Sequence, residues 1–101
     1  MIKHITEYSA EIYKNKLYIS AQGEFATGGY SFSTKEHEEN NTLHVEIILN
    51  TPSRGSAVTQ AFTYPELHET IDVSYNCKHV KVTAHKGLSP KATTIAEFDI
   101  G

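Results

Sequence analysis

The sequence predicts an all-β chain, a small antiparallel β-sandwich of immunoglobulin-like type with about seven strands. Apolar residues recur at every second position through most of the chain, as in half-buried strands, and no stretch holds a helical repeat. Asn, Gly and Pro interrupt those runs at short intervals, the spacing expected of a sandwich or a small closed barrel. The chain has 101 residues, of which 39% are hydrophobic and 21% charged. That is a globular composition with enough length for one core, so residues 1–101 are expected to form a single domain.

The elements follow in order. "EIYKNKLYISAQG" reads as a hairpin: Glu11 to Lys14, a turn near Asn15-Lys16, then Leu17 to Gln22 with Leu17, Ile19 and Ala21 on one face. Asn15 accepts the positive φ that such a turn demands. After Gly28-Gly29, Tyr30 to Glu38 forms a strand, followed by Leu43 to Asn50 with Leu43, Val45, Ile47 and Leu49 inward. Asn40-Asn41 makes a two-residue turn between them. This sets His37 opposite His44 and Lys35 opposite Glu46 on the outward face.

"NTPSRGS" breaks that strand, and "AVTQAFTY" is expected to form the next, stopping at Pro65 as an edge or a strand end. The remaining strands are "HETIDVSY" with Ile71, Val73 and Tyr75 inward, "HVKVTAH" with Val80, Val82 and Ala84 inward, and "TTIAEFDI" ending in Phe98 and Ile100. The expected core is Leu17, Ile19, Phe32, Val45, Ile47, Leu49, Phe62, Ile71, Val73, Val80, Val82 and Phe98.

Charge and composition narrow the function. The formal charge is −3, and Arg54 is the sole arginine, so no basic cluster exists to neutralise phosphates and nucleic acid is excluded as a partner. The single Cys77 permits no internal disulfide. No apolar run reaches transmembrane length or serves as a signal h-region, so the chain as given is expected in the cytoplasm, and outside the cell if a leader has been trimmed. No membrane insertion and no cofactor are implied, and nothing in the sequence indicates an oligomeric state.

Six histidines raise the question of a metal site. His37 and His44 are candidate ligands, because two imidazoles facing each other across a hairpin can chelate a divalent ion; a functional zinc site needs three or four ligands. A small metal-binding β domain is therefore one alternative. His79 and His85 alternate with Lys81 and Thr83 on a solvent face. Cys77 and His79 could share a face, but no third group orients them as a nucleophile and base. Nucleophile elbows, P-loops and Rossmann glycines are missing, so catalysis is not expected.

The most informative stretch is "EFATGGYSFS", residues 24–33. Adjacent glycines allow the chain to reverse or bulge tightly, and Thr27 offers a hydroxyl to backbone amides. Tyr30 is then either a core ring with a wet hydroxyl or part of a binding loop. In a core role its ring is buried between the sheets; in a binding role it is exposed beside the glycines.

"GEFATGGYSFS" followed by "LHVEIILNTPSRGSAVTQAFTYP" resembles the C-terminal domain of the protease-complex accessory protein PrcB and its bacterial relatives. The resemblance covers roughly residues 17 to 75 and rests on Gly23, Thr27, Gly28, Gly29, Tyr30, Pro52, Gly55, Thr59 and Pro65; here the aromatic precedes the proline. It implies a non-enzymatic module that binds a protein, a protease by analogy, through Thr27, Gly28, Gly29 and Tyr30 together with Pro52, Arg54 and Gly55. Thr27 to Tyr30 also resembles, more loosely, the Thr-Thr-Gly-Tyr loop of chagasin-type inhibitors of cysteine peptidases, which are immunoglobulin-like sandwiches. Those inhibitors carry a further loop with Arg-Pro-Trp, whereas this chain has no Trp.

Overall fold

The computed structural model describes residues 5–52, 61–87 and 91–100. They form seven strands: β1 (Ile5–Tyr13), β2 (Lys16–Glu24), β3 (Ser31–Glu39), β4 (Thr42–Asn50), β5 (Glu66–Asp72), β6 (His79–Lys86) and β7 (Thr93–Asp99). A three-stranded sheet in the order β1-β2-β5 faces a four-stranded sheet in the order β3-β4-β6-β7. The expected sandwich is present. Among the described residues no helix is long and apolar enough to cross a membrane.

Two hairpins set the registers. Asn40 and Asn41 have φ of 53° and 63°, the two left-handed residues of a type I′ turn. The resulting ladder pairs Glu39 with Thr42, His37 with His44 and Lys35 with Glu46, as the sequence predicted. In the first hairpin the left-handed pair is Lys14 and Asn15, at φ 50° and 61°, one residue earlier than expected. The observed register sets Ile12 against Leu17 and Ala10 against Ile19. A turn at Asn15-Lys16 would set Lys14 opposite Leu17; the observed register sets Ile12 there, and Lys14 takes a left-handed conformation that costs about 1–2 kcal/mol.

The strands shuttle between two ends of the sandwich. One end holds both tight turns and the segment joining β5 to β6, which is tied down by Val73 N–H donating to the Asn15 carbonyl and Lys78 N–H to that of Asn41. The other end holds residues 25–30, Thr51 and Pro52 after β4, and Gly87 after β6. Because β5 lies in the opposite sheet, β6 returns beside β4 in the same direction. The β4–β6 pair is therefore parallel, unlike every other pairing of named strands. These two central strands supply most of the core: Leu43, Val45, Ile47, Leu49, Val80, Val82 and Ala84 are all buried on one face. Leu17, Ile19, Ala21, Ile71, Val73 and Cys77 close it from the other sheet and its connections.

Most of the expected core is found there, with Phe32 and Phe98 partly buried at its margin. Two aromatics are elsewhere. Tyr75 is 90% exposed because β5 ends at Asp72 and the chain then turns over Ser74–Cys77, with Cys77 N–H donating to the Ser74 carbonyl. Alternation does not carry through a turn. Phe62 is 54% exposed. Residues 61–64 form a single bridge, Phe25 to Thr63, instead of the expected strand, and most of "AVTQAFTY" lies outside the described residues.

Candidate functional site

The end of the sandwich between β2 and β3 is organised around Phe25. The inward alternation of β2, Leu17, Ile19 and Ala21, continues in phase to position 25, and Phe25 is 1% exposed. Its backbone exchanges two hydrogen bonds with Thr63, at 3.0 and 2.9 Å, and Gly23 N–H donates to the Pro65 carbonyl at 3.0 Å. The segment that precedes β5 is thereby fastened to the end of β2. The Thr63 hydroxyl then donates to the Thr27 carbonyl at 2.8 Å. The Thr27 turn is held from outside by a side chain sixty-odd residues into the sequence.

Tyr30 stacks its ring on that of Phe25, with centroids 4.1 Å apart and planes within 5°. It is half-buried, neither enclosed between the sheets nor fully exposed beside the glycines. The ring is fixed from below by a buried partner, which removes rotamer freedom before any contact forms. Gly29 is exposed and has φ 90°, a backbone conformation that glycine adopts without penalty. Gly28 is buried and is not among the residues with positive φ, so only one glycine of the pair supplies the left-handed step.

The register places Pro52 at this same end. Ser31 opposes Asn50, so Tyr30 and Thr51 follow next on their respective chains. Asn50 donates from Nδ2 to Ser33 Oγ at 3.1 Å, stiffening the base of both connections. Of the sequence-derived contact residues, Thr27, Gly28, Gly29, Tyr30 and Pro52 share one end of the molecule, while Arg54 and Gly55 lie outside the described residues, as does Thr59. The sequence reading missed Phe25 and Thr63. Phe25 was detectable as the next inward position of the β2 alternation; Thr63 had no comparable signal, because its role depends on a contact across the fold.

Four of the described histidines bear on the sequence expectations. His37 and His44 stack with centroids 4.8 Å apart on the outward face, in the expected pairing. Among the described residues no group of three or more His, Cys, Asp or Glu is placed to hold a metal ion. His85 is more enclosed than a solvent face implies, with its side chain 13% exposed, Nε2 3.9 Å from Glu46 Oε1, and a buried Nδ1 that has no hydrogen-bond partner. His79 lies between two carboxylates of β7, with Nδ1 2.7 Å from Asp99 Oδ1 and Nε2 3.4 Å from Glu97 Oε1. Cys77 does not engage that imidazole: the thiol sits in the core and donates to the His79 carbonyl at 3.1 Å.

The hydrogen bond from His79 to Asp99 holds the imidazolium form, raising the pKa above 6.5; partial desolvation opposes this, while the Glu97 hydrogen bond and both carboxylate charges reinforce it. A raised folded-state value means the stabilisation is complete below the unfolded value of 6.5 and is lost as pH rises through the folded one. Thermal melts taken from below 6.5 upward should therefore show a falling midpoint that Asp99→Asn flattens. An unchanged pH profile in Asp99→Asn would remove this pair from the account.

Seven strands in two sheets, with their connections gathered at the two ends, define the class: a small all-β sandwich. More particularly, the chain belongs to the PrcB C-terminal family, whose model matches residues 16–67. The match begins at the first residue of β2 and ends just inside β5, so it contains the turn, both of its anchoring segments and the β3–β4 hairpin. No curated protein and no solved structure matches the chain.

Proposed function

We propose that this domain is a non-enzymatic protein-binding module whose contact surface is the Thr27–Tyr30 turn with Pro52 beside it, and whose partner is a protease or a protease-associated protein. The observation that carries this reading is the bracing of the turn. Phe25 is buried beneath Tyr30, Thr63 bridges Phe25 and bonds the Thr27 carbonyl, and Gly29 is left exposed at the apex. Preorganising a surface turn lowers the entropy lost when it meets a partner. Membership of the PrcB C-terminal family supports the choice of partner class.

Affinity capture from the source cell tests it. Gly29→Asn tolerates the positive φ while adding a side chain at the apex, and Tyr30→Ala removes the ring. Recovery of one specific partner should fall about tenfold or more with each variant, as for a central interface residue. If both variants retain the partner list of the unmodified domain, the contact lies on another surface. When the captured partner is a peptidase, its activity with added domain separates the two modes: an accessory module prolongs activity, and an inhibitor of the chagasin type abolishes it.

A further inference from the structure

The outer face of the β1-β2-β5 sheet is covered by nothing among the described residues, and it is not flat. Three hollows of about 320, 250 and 290 Å³ lie along it. The first shares Glu7 and Gln22 with the second, and the second shares Ser9, Ser20 and His68 with the third, so together they form one trough parallel to the strands. Its shape follows from side-chain length. Ser9 and Ser20 oppose one another in the middle, their hydroxyls 2.8 Å apart, and longer side chains rise on either side: Glu7 with Gln22, and Glu11 with Tyr18.

The trough has a strong charge bias. Glu7, Glu24 and Glu66 line one end and Glu11 the other, and among the described residues no Lys or Arg lines any of the three hollows. Glu66 has His68 at 3.7 Å, and Glu7 accepts from Gln22 Nε2 at 2.9 Å. Lys16 pairs with Asp72 at 3.7 Å beyond the trough, where the first hairpin turns. Each end also has a tyrosine ring: Tyr64, 64% exposed, beside Glu7, Glu24 and Glu66, and Tyr18, 38% exposed, opposite Glu11. A carboxylate next to an exposed aromatic face suits a guanidinium or ammonium group, which pairs with the first and lies over the second.

We infer that this trough docks an extended, basic segment of a partner protein, with two Arg or Lys side chains four residues apart and a small residue between them. The spacing comes from the sheet itself. Glu7 and Glu11 are four residues apart on one strand, about 13 Å, and an extended segment laid alongside advances at the same rate. Its first cation meets Glu7, Glu66 and Tyr64, its second meets Glu11 and Tyr18, and the small residue passes over Ser9 and Ser20. The inference does not depend on the Thr27–Tyr30 turn: failure of the capture experiment leaves the trough untouched, and failure here leaves the turn untouched.

The test is an amide chemical-shift titration of the intact domain with acetyl-Arg-Thr-Ser-Thr-Arg-amide, and with acetyl-Arg-Arg-Ser-Thr-Thr-amide, which has the same composition in the wrong order. The spaced peptide should perturb Ser9, Tyr18, Ser20 and Tyr64 and bind roughly tenfold more tightly than the clustered one. The double variant Glu7→Gln, Glu11→Gln should lose about tenfold of that affinity, whereas Glu36→Gln, Glu38→Gln, the same charge change on β3, should alter it less than twofold. All four positions are exposed and dispersed amide spectra verify folding of each variant. Equal binding of both peptides, equal losses in both double variants, or shifts mapped to another face would overturn the inference.

Discussion

Phe25→Ala is expected to lower the unfolding free energy by about 3–5 kcal/mol, the range for deleting a buried phenylalanine ring. Phe25 is 1% exposed, belongs to no hairpin turn, and supports Tyr30 at 4.1 Å. Its loss therefore leaves a cavity and also removes the floor on which the turn is built. The contrast with Phe62, 54% exposed and only one residue from Thr63, makes the prediction sharp. Phe62→Ala should change stability by no more than about 0.5 kcal/mol, as surface substitutions do. Urea unfolding of both variants measures the difference; if Phe25→Ala shifts the midpoint no more than Phe62→Ala, then Phe25 does not anchor this end of the sandwich.

Ile47→Ala is the second large effect, about 2–5 kcal/mol. Ile47 is 0% exposed at the centre of β4, with Thr34 opposite it on β3 and Ala84 opposite it on β6. Both neighbours are small and belong to flanking strands of fixed register, so neither can move in to fill the space. The residual cavity term should then be large, and the cost should fall in the upper part of the range. Ile47→Val, which removes a single methyl group, should cost about 0.5–1.5 kcal/mol. Equal midpoints for the two variants would show that the sheet collapses onto the void and that the core is softer than its packing indicates.

These two residues differ in how readily the sequence revealed them. Ile47 was evident from the period-two run "LHVEIILN", because one face of a central strand is buried along its whole length. The β3–β4 register was equally evident, since Asn40-Asn41 is a strong local signal and the ladder propagates from it residue by residue. Phe25 was less evident: it continues the β2 alternation, but past the point where the glycines at 28 and 29 draw the eye to a loop. Phe62 and Tyr75 misled for the same physical reason. Alternation predicts a buried face only while a strand has neighbours on a sheet, and both residues lie where the ladder has stopped.

What the sequence determined by itself is therefore local: the all-β class, the inward faces of β2, β4 and β6, the second hairpin with its facing histidines, and the turn motif by which the chain resembles its family. Each depends on residues a few positions apart, where backbone periodicity and turn chemistry act directly. Only the tertiary structure decided how seven strands divide between two sheets, that β4 and β6 run parallel, that Thr63 braces the Thr27 turn, and that His79 lies between Asp99 and Glu97 while Cys77 points into the core. It also decided that the carboxylates and tyrosines of β1, β2 and the β5 segment line one trough. Those arrangements join residues far apart in the chain, and they are set by the requirement that every apolar face find a partner at once, which no single segment of sequence records.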